Sequence, residues 1–481
     1  MQSRKCPRKR RFSSRIGSWV GCAVVFALVG CGDLGSSLSG TFGGRPMLVE
    51  LEQVKYLHPA SNTRMDSSSG GLVALGDINS DGFADFAIGA SAQGRMAAID
   101  LGWVEAYSGK DGTRLWQVSG KSPERAEADG DESSYHLGEI TLLEDVNGDG
   151  AADIYCRRRP SGPMALLFSG RDGQRLAISN APRSGYLQWP LFGRDINDDG
   201  ELDVVFPARE DESFGVQTLS GVDLSPAIGW IHVWPAANAR WTDWVLPRYA
   251  DDDGDGVADC LLRRGLTQNN TDPDYTFEYA VLSGKDLSII RTFESMRPRI
   301  SGETQYGTAD DLDGDTIPDV LMTSSTGDGA DNHASSLRAF SGADGTILWK
   351  VLGTQMKGGR ETQLVDVKTG ETTHLQPDVE FKNLVLSVPD MNRDGIGDVA
   401  TLAFAPGESR SQRAVLFFSG ADGQPFEPLR LSEHGFRATG SMVLLDTATA
   451  DGVPSLACSA KSKDGGLVIA VLPLPRSPNG D

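Results

Sequence analysis

Six times along the chain a nine-residue acidic stretch recurs, starting at Asp77, Asp145, Asp195, Asp251, Asp311 and Asp390. Each reads Asp-x-(Asp/Asn)-x-Asp with a further Asp four residues later. Spacing between first aspartates is 68, 50, 56, 60 and 79 residues. A unit repeated at this scale cannot bury an apolar face alone and must stack on its copies, so the chain is a repeat fold.

The side-chain oxygens in these stretches come from Asp77, Asn79, Asp81 and Asp85; Asp145, Asn147, Asp149 and Asp153; Asp195, Asn197, Asp199 and Asp203. The later three offer Asp251, Asp253, Asp255 and Asp259; Asp311, Asp313, Asp315 and Asp319; Asp390, Asn392, Asp394 and Asp398. Alternate side chains of a tightly curled loop converge on one point, and a hard divalent cation takes about six to eight oxygens. Oxygen donors with no Cys or His among them predict Ca²⁺, about five or six ions in all. A backbone carbonyl at the seventh position is expected to complete each set: Phe83, Ala151, Glu201, Val257, Ile317 and Ile396. The sixth position is Gly82, Gly150, Gly200, Gly256 and Gly395, with Thr316 as the exception, which predicts a turn that a Cβ would obstruct.

These are not EF-hands. That loop needs a bidentate Glu at position 12 between helices, and here position 12 is Ile88, Cys156, Phe206, Leu262, Met322 and Thr401. The residues after each loop, such as Phe86-Ala87-Ile88 and Val320-Leu321-Met322, are short apolar runs that read as buried strands. A second motif keeps step: Ser-Gly-x-Asp at Ser108, Ser169, Ser220, Ser283, Ser341 and Ser419, each between apolar runs and each predicted to be a hairpin turn with no ligand. The unit is therefore strand, acidic loop, strand, longer loop, strand, Ser-Gly-x-Asp turn, strand. Four-stranded units repeated radially make a β-propeller. With a degenerate seventh repeat near residues 446–455, where Asp451-Gly452 keeps the turn without the carboxylates, the fold class is all-β, a seven-bladed β-propeller over residues 47–475. Met47-Leu48-Val49-Glu50-Leu51 is expected to close the ring on the last blade.

The stretch Leu75-Gly76-Asp77-Ile78-Asn79-Ser80-Asp81-Gly82-Phe83-Ala84-Asp85, then Gly89-Ala90-Ser91, and Phe192-Gly193 before the third loop, resembles the FG-GAP (VCBS-type) repeats of the integrin α head. That resemblance implies calcium-binding loops at 77–85, 145–153, 195–203, 251–259, 311–319 and 390–398, and an adhesive or binding role. Asp111-Gly112-Thr113-Arg114-Leu115-Trp116 and Asp344-Gly345-Thr346-Ile347-Leu348-Trp349 also resemble the Trp-docking repeats of quinone-dependent dehydrogenases, in two of six units.

The N-terminus reads as a leader over residues 1–30. A basic region from Arg4 to Arg15, an apolar run from Ile16 to Val29 and the box Leu28-Val29-Gly30-Cys31 resemble a bacterial lipoprotein signal, with Cys31 lipidated. Residues 31–46, rich in Gly and Ser, form a tether. The expected location is an exported, membrane-anchored lipoprotein at a bacterial cell surface or in the periplasm. Loss of the leader, with seven basic residues and no acidic one, takes the formal net charge from -21 to -28. Such acidity argues against nucleic acid as a partner.

Cys156, Cys260 and Cys458 fall in different units and read as small buried hydrophobes, while the six histidines show no zinc spacing and no catalytic constellation emerges. Two regions are candidates for specificity. One is Trp230, Trp234, Trp241 and Trp244; the other is the loop end opposite the acidic loops, with Arg157 to Arg159, Arg263-Arg264, Asn269-Asn270, Asp328 to His333 and Gln355 to Lys382. The expected function is a monomeric, lipid-anchored module that binds a protein or glycan. A carbohydrate-active lyase or hydrolase is the alternative, ahead of a quinone-dependent dehydrogenase.

Overall fold

The structure is a computed structural model. It describes residues 55–57, 71–90, 102–120, 137, 140–157, 165–179, 193–195, 200, 202–210, 213–221, 224–234, 242–246, 249, 251–265, 277–294, 304–324, 335–353, 362–365, 372–375, 380–404, 413–426, 437–445, 454–461 and 467–474. The chain divides into two compact units, Met1–Leu34 and Gly35–Asp481, and every described residue lies in the second. The expected leader, Cys31 and the tether lie outside the described residues. Among those residues there is no helix long and apolar enough to cross a membrane.

Strand follows strand in antiparallel meanders. Blade one is Leu72–Gly76, Asp85–Ala90, Trp103–Tyr107 and Arg114–Ser119, hydrogen-bonded in sequence order. Blade two is Ile140–Leu142, Ile154–Arg157, Ala165–Phe168 and Arg175–Ser179; blade three is Gly193–Arg194, Asp203–Glu210, Ser213–Ser220 and Pro226–Trp234. Blade four is Thr242–Leu246, Cys260–Gly265, Phe277–Leu282 and Ile289–Glu294; blade five is Thr304–Thr308, Val320–Ser324, Ser336–Phe340 and Ile347–Leu352. Blade six has three strands, Glu380–Val388, Asp398–Phe404 and Arg413–Phe418, and its outer strand shrinks to a single bridge from Phe418 to Pro425. Blade seven is Arg437–Leu445, Ser455–Lys461 and Leu467–Pro473, completed on its outside by Lys55–Leu57.

Ring closure by an N-terminal strand is as expected, but the strand is Lys55–Leu57, paired antiparallel through Lys55 to Val471, Tyr56 to Ala470 and Leu57 to Ile469. Met47 to Leu51 lies outside the described residues. Between blades five and six the long connection carries its own hairpin, Thr362–Val365 with Thr372–Leu375.

The second strands carry continuous apolar runs because both of their faces are covered. Phe86, Ala87 and Ile88 are fully buried, as are Cys260, Leu261 and Leu262 and the run Val320, Leu321 and Met322. The apolar clusters lie between neighbouring blades. Val104 and Ala106 of blade one pack with Ile154 and Leu166 of blade two, and Tyr155 and Leu167 of blade two pack with Val204 and Leu219 of blade three. Tyr279 and Phe293 join blade four to Val320 and Phe340 of blade five. Leu337 and Val351 then meet Val399 and Phe418 of blade six. Phe417 meets Leu456 and Val468 of blade seven, and Leu445 and Ile469 return to Phe86 and Trp103 of blade one. Cys156, Cys260 and Cys458 are free and buried in these layers, matching their reading as small hydrophobes.

Indole clamps reinforce two of those interfaces. Trp116 on the outer strand of blade one donates its Nε1–H to the carbonyl of Gly170 in blade two at 3.0 Å, and Trp349 of blade five does the same to Gly420 of blade six at 2.6 Å. Each indole lies flat enough on the next turn that a Cβ on Gly173 or Gly423 would come within 2.7 Å of it. Trp349→Ala is expected to destabilise the chain by about 3 to 5 kcal/mol. Trp349→Phe keeps much of the ring and loses one hydrogen bond, at about 1 kcal/mol. Denaturant melts check this; equal losses in the two variants would mean that the indole N–H, and not the ring contact, carries the interface.

Candidate metal centre

Antiparallel meanders put the acidic loop, between the first two strands, and the Ser-Gly-x-Asp turn, between the third and fourth, at the same end of each blade. The first loop shows how the two meet. Asp77 accepts backbone N–H groups of Asp81 at 3.0 Å and Gly82 at 2.8 Å, one on each carboxylate oxygen. Asn79 Oδ1 accepts from Asp81 N at 2.9 Å, and its amide donates to Asp81 Oδ2 at 3.1 Å. Asp81 Oδ1 accepts from Phe83 N at 3.0 Å. This curl brings the side chains at positions one, three and five around the same turn, and the second and sixth loops repeat it around Asp145 and Asp390.

Asp85 behaves differently. It is fully buried, its Oδ2 accepts from Ile78 N at 3.0 Å, and its Oδ1 accepts from Gly109 N at 3.1 Å in the Ser-Gly turn. The same reach across the blade joins Asp153 to Gly170, Asp259 to Gly284, Asp319 to Gly342 and Asp398 to Gly420. All six ninth-position aspartates, Asp203 included, are fully buried. The turn serine adds a second tie: Ser108, Ser169 and Ser419 donate Oγ–H to Asp81, Asp149 and Asp394 at 3.1, 2.8 and 3.4 Å. The Ser-Gly turns are therefore part of the acidic site, which the sequence reading treated as separate.

Glycine is required in that turn by contact. A Cβ on Gly109, Gly170, Gly284, Gly342 or Gly420 would stand about 2 Å from the carbonyl oxygen of the loop residue just before the buried aspartate. At the sixth loop position, φ is 87° to 92° for Gly82, Gly150, Gly200, Gly256 and Gly395, and Thr316 is held at 74°. Thr316 thus carries the left-handed strain expected for it, of about 1 kcal/mol or more. The fourth loop position is also left-handed, at Ser80, Gly148, Gly254, Gly314 and Arg393. Glycine stands at only three of these five, so the sequence pattern did not reveal it.

Among the described residues, one ligand atom each from Asp251, Asp253 and Asp259 lies within 4.8 Å of the others, and so it is for Asp311, Asp313 and Asp315. Asp255 and Asp319 fall outside those two groups; Asp255 accepts from Val257 N, and Asp319 is turned toward Leu312 N and Gly342 N. The seventh-position amides of Phe83, Ala151, Val257, Ile317 and Ile396 all donate to the fifth-position aspartate. Asn197, Asp199 and Glu201 lie outside the described residues, although Asp195 still accepts from Gly200 N at 2.8 Å. The donor set fits a hard cation. Every candidate is an oxygen, each carboxylate keeps lone pairs beyond those used by backbone amides, and three carboxylates already converge in two of the loops.

Of the other candidates, Trp230, Trp234 and Trp244 lie on strands of blades three and four, and Trp241 lies outside the described residues. Asn269-Asn270 and 328–333 likewise lie outside the described residues. Arg263 packs on Tyr306 of blade five, its guanidinium 2.5 Å from the hydroxyl. Trp116 and Trp349 do dock as their motif suggested, and their contacts are with neighbouring turns.

Comparison with known proteins bears on this arrangement. Residues 69–107, which span the first acidic loop and its Ser-Gly partner strand, match the model of the FG-GAP repeat. The chain is 29% identical over 159 residues to integrin alpha-V of Gallus gallus, covering 30% of this chain and 14% of the integrin's length. Among solved structures it is similar to BamB from Moraxella catarrhalis, with 13% identity, 88% of this chain and 100% of that one covered, and a TM-score of 0.36. It is also similar to the quinohemoprotein alcohol dehydrogenase ADHIIG from Pseudomonas putida HK5, with 9% identity, 87% and 75% coverage and a TM-score of 0.36.

Burial dominates the titration of the ninth-position carboxyls. It pushes Asp85 and Asp319 up to about 6 and Asp153 and Asp398 up to about 7, against the backbone amides that favour the ionised form. In metal-free protein the folded state therefore holds more protons than the unfolded chain from about pH 4, the usual aspartate value, up to about pH 7. Stability is expected to fall as pH rises through that window. Thermal melts of metal-stripped protein at pH 5 and pH 8 check the sign: the midpoint should be higher at pH 5. A higher midpoint at pH 8 would mean that the amide hydrogen bonds outweigh burial.

Proposed function

From an FG-GAP repeat β-propeller that resembles the integrin α head, we propose a calcium-braced binding module, exported and held at a membrane by a lipid on Cys31. The observation that carries the metal reading is the convergence of three carboxylates within 4.8 Å in the fourth and fifth loops, with no Cys or His in any loop. In each loop the ligands are the side chains at positions one, three, five and nine and the carbonyl at position seven. Calcium replaces like-charge repulsion with attraction and favours the ionised form of the buried aspartate, so its binding free energy adds to the stability of the fold.

With one end of the blades committed to these loops, the opposite end is the surface for a protein or glycan. It carries the connections after the second strands and the inserted hairpin Thr362–Val365 with Thr372–Leu375. Integrin similarity supports this class of role and an extracellular setting. Trp116 and Trp349 hold blades together, so the Trp-docking resemblance is accounted for by architecture without a quinone.

Metal analysis of full-length protein equilibrated at millimolar Ca²⁺ should return about five or six ions per chain, and chelation should lower the melting temperature. Asp255→Ala should lower the calcium-loaded melt while leaving the chelated melt nearly unchanged. Fewer than two ions, or a melt indifferent to chelator, would overturn the metal reading. Anchoring is tested apart from this. Cys31→Ser should move the protein to the soluble fraction or stall its processing, and normal processing with retained membrane association would overturn the lipoprotein reading.

A further inference from the structure

Blade four has no tryptophan where blades one and five have theirs. Five residues beyond the turn aspartate, the position of Trp116 and Trp349 is held in blade four by Arg291. The two tasks of the indole are divided there. Phe293 supplies the ring, so that a Cβ on Gly345 would come within 2.8 Å of it. Arg291 supplies the hydrogen bonds, from Nη1 to the carbonyls of Gly342 and Ala343, the latter at 3.0 Å.

Arg291 does something that tryptophan cannot. Its Nε donates to Asp252 at 2.7 Å, and the Asp252 side chain is only 3% exposed. Asp252 is the second residue of the fourth acidic loop, between Asp251 and Asp253, and its own N–H donates to the buried Asp259 at 2.7 Å. At the other end, Gly342 donates its N–H to Asp319, the buried aspartate of the fifth loop, at 2.9 Å. A parallel path runs through Tyr249, whose N–H bonds to the Asp259 carbonyl and whose hydroxyl donates to the carbonyl of Pro318 in the fifth loop. The guanidinium lies 6.0 Å from the Tyr249 ring and 5.7 Å from the Phe293 ring, so the bridge is packed as well as bonded. The two loops that it joins are the two in which three carboxylates converge.

We propose that Arg291 couples the fourth and fifth acidic loops, so that Ca²⁺ bound in either one raises the affinity of the other. This rests on the calcium reading above. An ion on Asp251 and Asp253 fixes the backbone of Asp252 between them. Asp252 holds Arg291, which holds the Gly342 turn, which orients Asp319. The cost of ordering this shared bridge falls on the first ion, and the second binds to a loop already in place. Linkage makes the effect equal in both directions. Between blades one and two, and between five and six, the same position holds a tryptophan, whose indole carries no charge to an acidic loop.

The test is a Ca²⁺ titration of the full-length protein followed by hydrogen exchange and mass spectrometry, reading the peptides over 251–259 and 311–319 separately. Disabling the fourth loop with Asp253→Ala should raise the Ca²⁺ midpoint of the fifth by about five-fold or more. In an Arg291→Gln background the same Asp253→Ala change should move it by less than about two-fold, the level expected of independent sites. An arginine with a merely structural role would weaken both loops without altering the response of one to loss of the other. Should Arg291→Gln fail to fold, Asp252→Asn cuts the charged link and leaves the carbonyl contacts. No shift in the native background, or an equal shift with and without the bridge, overturns the coupling while the calcium reading stands. If neither peptide gains protection at millimolar Ca²⁺, the calcium reading falls and takes the coupling with it.

Discussion

One carboxylate in each of blades one to six holds the repeat together. The ninth-position aspartate is buried where an unpaired charge would cost several kcal/mol, and backbone N–H groups from two separate segments surround it. It ties the start of the second strand to the acidic loop before it and to the turn between the third and fourth strands. Both connections at one end of the blade therefore depend on one side chain. The turn glycine follows from that need, since Gly109 must come close enough to donate to Asp85 and any Cβ would collide with the Ala84 carbonyl. Burial also leaves the aspartate reluctant to ionise, with the Asp85 carboxyl pushed up to about 6.

Between blades the problem is different. Apolar layers supply adhesion in every described interface but do not set the angle or height at which one sheet meets the next. Directional contacts do that. An indole N–H on a turn carbonyl fixes blade one to two and blade five to six, while an arginine fork and a phenylalanine ring fix blade four to five. Tryptophan combines area and one hydrogen bond without charge. Arginine gives more bonds but needs a counter-charge when half buried, and the acidic loop supplies Asp252.

Much of this was legible in one dimension. Aspartates at fixed spacing, glycine at the sixth position and Ser-Gly before each outer strand gave the order of strands within a unit, the number of blades and the left-handed conformation of Thr316, because each depends on local backbone geometry. What depended on contact between distant residues was not legible. Nothing in Ser108-Gly109 says that it binds Asp85, 24 residues earlier. Arg291 stands at the position of Trp116 but shares no chemistry with it that a residue pattern would register, and the matching turn-glycine carbonyl shows that the two do the same job. Leu224 and Leu287 hide the turn glycine position in the same way, adopting φ of 57° and 63° where Gly112 and Gly173 stand elsewhere. The closing strand is Lys55–Leu57 where the sequence pattern predicts Met47 to Leu51, since a pairing of three residues carries too little pattern to fix its place.

The seventh blade shows what the acidic loops are for. It lacks the carboxylate ladder, yet its strands bury Leu456, Ala457, Val468 and Ile469. Its inner strands are tied instead by Ser459, whose hydroxyl accepts from Ser441 N and donates to the Ser441 carbonyl, both at 3.2 Å. Its outer strand comes from the other end of the chain. Pairing Lys55–Leu57 with Leu467–Pro473 closes a loop of some four hundred residues, a constraint that none of the other blades receives. Blades one to six have no such closure and rely on a local device, the buried aspartate, to hold loop and turn together. The seventh is held across the seam by the pairing of Lys55–Leu57 with Leu467–Pro473, so it keeps its place in the ring without the carboxylates of an acidic loop.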